Sequence, residues 1–480
     1  MENRLNTYYI KATILAVWIS ICIPSYAIAN PPTSLSKSTN PEVRHLLYIY
    51  HTESPLSALA DINAYAELVP GLKSNPAVNL MLAKLYLDLG HLAQAQSLVQ
   101  ATPKSLELEA YKNEILLKLA SELYNQQLFN QSKTVLKQIN NNLSRKLQEK
   151  RQLQEGMTHL ALKDYRSASK AFDKISNKST SGAYAQYNLG IALLNRKKFD
   201  DGIETLDKLG QNNFTSDELK NLKDQTNLSL GFLYMRAQEP DLARKYLQRI
   251  RLSSTLSNQA LLGLGLAESI DNNNREALIP LLELHDRPAF DNAVIESYLA
   301  VPHALAKLGS DNNALKYYEL AVALFEQQIS ATTNLSTQLQ KTPQYISEIH
   351  QLPKYSKSNP TEVLLARLES TLIGNATYSI TSRSYTKLRT LKAEMPEWKK
   401  DYSDHTNAVE LPVEKNALDS RIDTLNKQID KAIAQHETIL SEIVLAELQK
   451  ENNRLSNHLN KVRFSMAQIY DRILNQRIAP

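Results

Sequence analysis

Histidine and cysteine are the residues best suited to metal binding or nucleophilic chemistry, and this chain spaces them poorly for either. A helical zinc site needs two histidines four residues apart, with a glutamate beside the first. No pair has that spacing among His45, His51, His91, His159, His285, His303, His350, His405, His436 and His458. Cys22 is the only cysteine, so no internal disulfide can form. The sequence therefore predicts no metal site.

Two short motifs could belong to enzymes. Gly263-Leu264-Gly265 could begin a dinucleotide-binding loop, but a third glycine and a preceding strand are absent, so we interpret both glycines as helix-packing positions. Glu296-Ser297 is similar to the catalytic dipeptide of bacterial peptidoglycan lytic transglycosylases that carry a helical solenoid. No Gly-Leu-Met-Gln-like segment follows, and the resemblance ends at two residues. We predict no catalytic residue and no cofactor, with a peptidoglycan-active enzyme as an alternative.

The first residues have the pattern of a secretory signal peptide. Arg4 and Lys11 precede a short apolar run, Pro24 interrupts it, and the small residues Ala27 and Ala29 follow. This pattern predicts a signal peptide over residues 1–29 with cleavage after Ala29, which would place the mature chain in a bacterial periplasm. Cleavage would also remove Cys22 and with it any cysteine nucleophile. The alternative is an uncleaved helix that anchors the chain in the inner membrane.

Composition narrows the fold class. The chain has 480 residues, of which only 12 are glycine, whereas β-rich folds need many glycines at tight turns. Hydrophobic residues make up 42% and charged residues 22%, which excludes disorder over the whole length. The net charge of +5 comes from mixed acidic and basic residues, which argues against a nucleic-acid partner. Beyond the N-terminal segment no apolar run approaches the ~18 residues of a membrane span. We predict an all-α fold.

An internal repeat organises the middle of the chain. Glycines recur 34, 41 and 34 residues apart, at Gly156, Gly190, Gly231 and Gly265. A small residue follows each of these anchors by twelve positions, at Ala168, Gly202, Ala243 and Ala277. A large apolar residue follows by sixteen, at Phe172, Leu206, Leu247 and Leu281. Less regular units have anchors at Ala83, Ala120 and Pro302. Small residues let two helix axes approach closely, and the large residue fills the space beside them. Each anchor therefore indicates one pair of packed helices, and the seven anchors predict about seven pairs.

This pattern resembles the tetratricopeptide repeat, a 34-residue pair of antiparallel helices that stacks into a right-handed solenoid. The family's tryptophan and terminal proline are missing here. The resemblance implies that the first helix of each pair lines a concave groove that holds a protein partner. The groove positions it implies are Tyr184, Tyr187, Ile191, Leu194, Leu228, Phe232, Met235 and Arg236.

Flanking regions complete the predicted organisation. Residues 30–70 would form capping helices, 71–330 the array, and 331–414 a linker with short helices. Heptad-like spacing in residues 415–480 predicts a coiled coil or a helical hairpin with a break near Leu448. A helix packed back on its own chain is the alternative. If these helices form a coiled coil, they would mediate homo-oligomerisation, with the array as a structural spacer.

Together these features predict a non-catalytic, exported scaffold. It would bind a protein partner in a cell-envelope assembly, secretion or energy-transducing complex.

Overall fold

The computed structural model describes residues 40–103, 108–140, 143–176, 179–289, 291–346, 360–409 and 412–478. These residues contain nineteen α-helices, two short 3-10 helices and no strand, which confirms the predicted all-α solenoid. The chain divides into two compact units, here called the N-terminal unit (to Leu230) and the C-terminal unit (from Gly231). The predicted cleavage residues Ala27 and Ala29 lie outside the described residues.

The N-terminal unit is built from helix pairs. Its helices are α1 (Pro41–Thr52), α2 (Pro55–Leu68), α3 (Pro76–Leu89), α4 (Leu92–Ala101), α5 (Glu109–Asn125), α6 (Phe129–Leu136), α7 (Arg145–Ala161), α8 (Tyr165–Phe172), α9 (Thr180–Asn195), α10 (Phe199–Gln211) and the first part of α11 (Asp217–Arg236). The first three begin with proline after a cap, Asn40, Ser54 or Asn75, whose side chain accepts a backbone N–H. Proline suits this position because its missing N–H has no partner within the helix.

The C-terminal unit continues the pairs and then changes character. After the end of α11 come α12 (Pro240–Leu247), α13 (Ser257–Ile270), α14 (Asn274–His285), α15 (Asn292–Lys307), α16 (Asp311–Lys341), α17 (Pro360–Gly374), α18 (Ala376–Val409) and α19 (Pro412–Ile478).

Two expectations about this end of the chain were wrong. The first part of the stretch assigned to a linker from residue 331 is helical as far as Lys341. Helix α19 runs unbroken through Leu448, which excludes a hairpin there. A long helix can contain many polar side chains when one of its faces packs against other helices. Here the helices that provide this packing are distant in the sequence.

Each repeat glycine lies against its large partner sixteen residues later. A Cβ added at Gly190 would come within 2.5 Å of Leu206 Cγ, and one at Gly156 within 2.3 Å of the Phe172 ring. The pairs Gly231–Leu247 and Gly265–Leu281 are equally close, at 2.6 and 2.4 Å. Ala168, Ala243 and Ala277 are completely buried, and Gly202 packs on Leu194. These positions therefore set the spacing within each pair.

The turn inside each pair has a left-handed residue seven positions after the anchor. Two of these residues are glycines, Gly90 and Gly309, and the other five are Gln127, Lys163, Lys197, Gln238 and Asn272, with φ between 56 and 62°. The next backbone N–H closes the turn on the carbonyl five residues earlier, for example from Lys198 to Leu193 at 3.0 Å. This is the hydrogen bond of a Schellman cap, which ends the first helix and reverses the chain.

Candidate partner-binding surface

In the N-terminal unit, the predicted groove residues are only partly accessible. Tyr187 is 5% exposed, its hydroxyl lies 3.4 Å from Ser229 Oγ, and burial raises the pKa of its phenol. Leu228 is also buried, at 8% exposure. Both are core residues, which corrects the expectation that they face a partner. Helix-facing spacing alone cannot distinguish a groove side chain from one packed between neighbouring helices.

The remaining predicted residues of that unit are half-buried. Tyr184 donates a hydrogen bond to Glu218 Oε1 at 2.8 Å, and Leu194 packs on Gly202 of its own pair. Ile191 is half-buried on α9. A partner could therefore reach Tyr184 and Ile191 more readily than the two core residues.

In the C-terminal unit, α13 exposes two large apolar residues at groove positions. Leu266 is 36% exposed and Ile270 44% exposed, one and five residues after Gly265. Phe232 and Arg236 occupy the same two positions after Gly231; Phe232 and Met235 are half-buried and Arg236 is exposed. Leu266 and Ile270 were not among the predicted groove residues, although their distance from Gly265 in the sequence identifies them as groove positions. We call Leu266 and Ile270 the α13 patch.

One repeat further on, the same positions face α19. His303, Ala306 and Lys307, which follow Pro302 by one, four and five residues, line a cleft of about 790 Å³ whose other wall is formed by α19 from Ser465 to Asn475. Glu296, six residues before Pro302, lies 3.3 Å from His458 Nε2. The groove positions of the last repeat thus meet a helix of the same chain.

The contact between α19 and the repeats has an apolar centre. Leu455, Leu459 and Val462 are buried in one cluster with Tyr318 and Phe325 of α16. The prediction left open a coiled coil or a helix packed on its own chain, and in the C-terminal unit α19 packs along α16 and α18.

A buried ion pair fixes α19 near its middle. Arg367 of α17 is paired with Glu451 at 2.8 Å, with side chains 1% and 8% exposed. Arg367 also donates to Gln328 Oε1 at 3.2 Å. Burial lowers the pKa of Arg367, and the charge of Glu451 opposes that shift. One guanidinium therefore joins α16, α17 and α19.

Glu296, the candidate general acid, has an unsuitable environment for that role. Burial raises the pKa of its carboxyl, but the hydrogen bond and charge of His458 together with Arg454 and Lys461 lower it below its ordinary value overall. A general acid needs a raised pKa to hold its proton near neutral pH. The geometry makes Glu296 a contact to α19 instead.

Within the described part of the chain, no group of three or more histidine, cysteine, aspartate or glutamate side chains could hold a metal ion. No described helix is both long enough and apolar enough to cross a bilayer.

Comparison with known proteins identifies the repeat. The family model of the tetratricopeptide repeat matches residues 153–213, which include the anchors Gly156 and Gly190. Residues 153–213 carry tetratricopeptide repeats. Repeats of this family point to a scaffold for protein interaction. No curated protein matches the sequence.

Several solved structures resemble this chain weakly. A tetratricopeptide repeat protein from Parabacteroides merdae has 14% identity and a TM-score of 0.33, over 52% of this chain and 92% of its own. The apo form of RapI has 12% identity and a TM-score of 0.38, over 75% of this chain and 99% of its own. The Cut9–Hcn1 complex of the APC/C has 14% identity and a TM-score of 0.27, over 90% and 98%. Such similarities say nothing about what this chain binds.

Proposed function

We propose that this chain is a non-catalytic scaffold that binds a segment of a protein partner on the α13 patch. The observation that carries the proposal is the equivalence of two repeats. Leu266 and Ile270 are exposed at the positions that, one repeat later, line the cleft against α19. In the later repeat these positions meet a helix, so exposed apolar residues at the same positions of α13 form a suitable surface for a segment of a partner.

Site-specific crosslinking tests this surface in the full-length protein. A photoreactive amino acid at position 266 or 270 should give adducts with a partner in cells of the source organism. Ile279 of α14, which is 66% exposed, provides a matched control because it is apolar but lies on the second helix of its pair. Adducts of equal yield from position 279 would contradict the proposal.

The double variant Leu266→Glu/Ile270→Glu should abolish capture of the same partner without changing the melting temperature.

We further propose that the scaffold acts in the periplasm, in an envelope assembly, secretion or energy-transducing complex. This proposal is supported by residues 1–29, in which basic residues are followed by a short apolar run and then by small residues. Intact-mass measurement of the protein from a periplasmic fraction should give a chain that starts at Asn30. A full-length mass from a membrane fraction would favour the uncleaved anchor instead.

A second candidate role is self-association through α19. Leu425 and Ile439 are 45% and 40% exposed and lie fourteen residues apart, at the same heptad position. If this seam pairs two copies, light scattering should give a dimer mass for the full chain and a monomer mass for Leu425→Glu/Ile439→Glu. A monomer mass for the unmodified chain would exclude this role.

A further inference from the structure

The distal segment of α19, residues 463–475, carries basic side chains that pair with acidic side chains of α16. Arg472 donates to Asp311 Oδ1 at 2.8 Å, and Arg463 donates to Glu326 Oε1 at 2.7 Å. Because the later α19 residue meets the earlier α16 residue, the two helices are antiparallel. The repeats thus offer α19 an apolar strip with carboxylates beside it.

The packing of α19 against the other helices of the C-terminal unit becomes weaker from Glu451 towards its C-terminal end. Around Glu451 the helix is fixed by the buried ion pair with Arg367 and by fully buried Leu455. Among residues 463–475, only Ile469 is buried, while Met466 and Ile473 are half-buried. The pair Arg463–Glu326 has side chains 57% and 52% exposed, a setting in which ion pairs contribute little stability.

Space also separates the distal segment from α15. The cleft of about 790 Å³ lies between His303 and Lys307 on one side and residues 465–475 on the other. Outward from the array, Phe464, Tyr470 and Leu474 are between 51% and 65% exposed. The distal segment is therefore a helix with basic and apolar contacts that is only loosely packed on its site.

We propose that residues 463–475 are a displaceable occupant, and that a basic amphipathic helix of a protein partner takes their place. This rests on the proposed scaffold function and names the chemistry of its partner. The partner helix would present apolar residues at the spacing of Met466, Ile469 and Ile473, with arginine or lysine beside them to reach Asp311 and Glu326. Charge complementarity selects this occupant, because an acidic or neutral helix would leave both carboxylates without a basic partner.

The test uses the full-length protein and a fluorescent peptide with the sequence of residues 463–475. The chain variant Arg463→Glu/Arg472→Glu weakens the resident segment but leaves Asp311 and Glu326 intact. It should bind the peptide at least tenfold more tightly than the unmodified chain. The same peptide with both arginines changed to glutamate should show no gain.

A matched chain variant separates release of the segment from a general effect of charge. Lys431 and Lys450 are exposed residues of α19, and the ion pair of Lys450 is with Glu447 of the same helix. Lys431→Glu/Lys450→Glu should leave peptide affinity unchanged, and circular dichroism should show equal helix content in all three chains.

Two results would overturn the proposal. One is equal peptide affinity of the Arg463→Glu/Arg472→Glu and unmodified chains, or a gain that the charge-reversed peptide shares. The other is a dimer of the unmodified chain that Arg463→Glu/Arg472→Glu dissociates, since the face would then hold a second copy. Either result would leave the crosslinking prediction for Leu266 and Ile270 untouched.

Discussion

The repeat pairs and the long C-terminal helices are both all-α, but they hold their helices together in opposite ways. In the pairs, a glycine meets a large apolar residue sixteen positions later, as Gly190 meets Leu206. In the long helices, two ion pairs join residues more than a hundred positions apart: Arg472 pairs with Asp311 and Arg463 with Glu326. The first kind of contact is apolar and local, whereas the second combines an apolar seam with charges from distant segments.

The difference explains how each region tolerates change. A repeat contact recurs, so one altered pair leaves its neighbours with their own contacts. Among the long helices, one buried side chain, Arg367, contacts both α16 and α19. We therefore expect the largest effect of a single substitution at that residue.

Arg367→Met should destabilise the C-terminal unit by about 3 kcal/mol, because it leaves Glu451 buried with only part of its ion-pair network. Glu451 keeps a contact with Arg454 at 3.0 Å, which limits the loss. Chemical denaturation followed by circular dichroism measures the change. The double variant Arg367→Met/Glu451→Leu should recover most of the lost stability, since apolar pairs often replace buried ion pairs without cost. A single variant as stable as the unmodified chain would show that the contacts of Arg367 add no stability.

Gly190→Ala tests the local contact and should destabilise by about 1–2 kcal/mol. The added methyl would meet Leu206 Cγ at 2.5 Å, and overpacking of this kind costs about 1–3 kcal/mol. The better helix propensity of alanine returns up to about 1 kcal/mol. Gly374→Ala is the control, because nothing lies within 4 Å of its added Cβ. If both variants change the free energy of unfolding equally, close packing does not explain the repeat glycine.

Lys197→Gly should stabilise the chain by about 0.5–1 kcal/mol. Lys197 has φ of 62°, and a left-handed conformation costs a residue with a side chain about 1–2 kcal/mol. Part of the gain is offset by about 0.4–1 kcal/mol, because glycine has more freedom in the unfolded chain. Gly309→Ala, at the equivalent turn with φ of 73°, should shift the melting temperature in the opposite direction. Shifts of the same sign would show that the turn is not strained at these positions.

How much of the molecule the sequence predicts follows from the same comparison. The array was predictable because Gly156, Gly190, Gly231 and Gly265 repeat a local contact at a readable interval. The seven turns were less visible, since five of their left-handed residues are not glycine. The place of α19 was not predictable, because nothing near Arg463 or Arg472 in the sequence indicates a partner more than 130 residues away. The candidate surface was predictable only in part. Tyr187 is at a predicted groove position but is buried, whereas Leu266 was not predicted and is exposed, and the sequence pattern does not distinguish these two degrees of burial.

The smallest expected effect is at Glu296, a repeat residue that takes part in the long-range contact. Its folded pKa lies below the ordinary value of 4.5, so its contribution to stability is present above pH 4.5 and is lost as pH falls through the lowered value. Glu296→Gln should therefore lower the melting temperature slightly at pH 7. The side chain is 38% exposed, so solvent screening keeps the effect small. The gap between the two chains should close as the pH is lowered from 4.5 towards 2. A gap that persists unchanged at the lowest pH would mean that the charge of Glu296 does not hold α19 to the repeats.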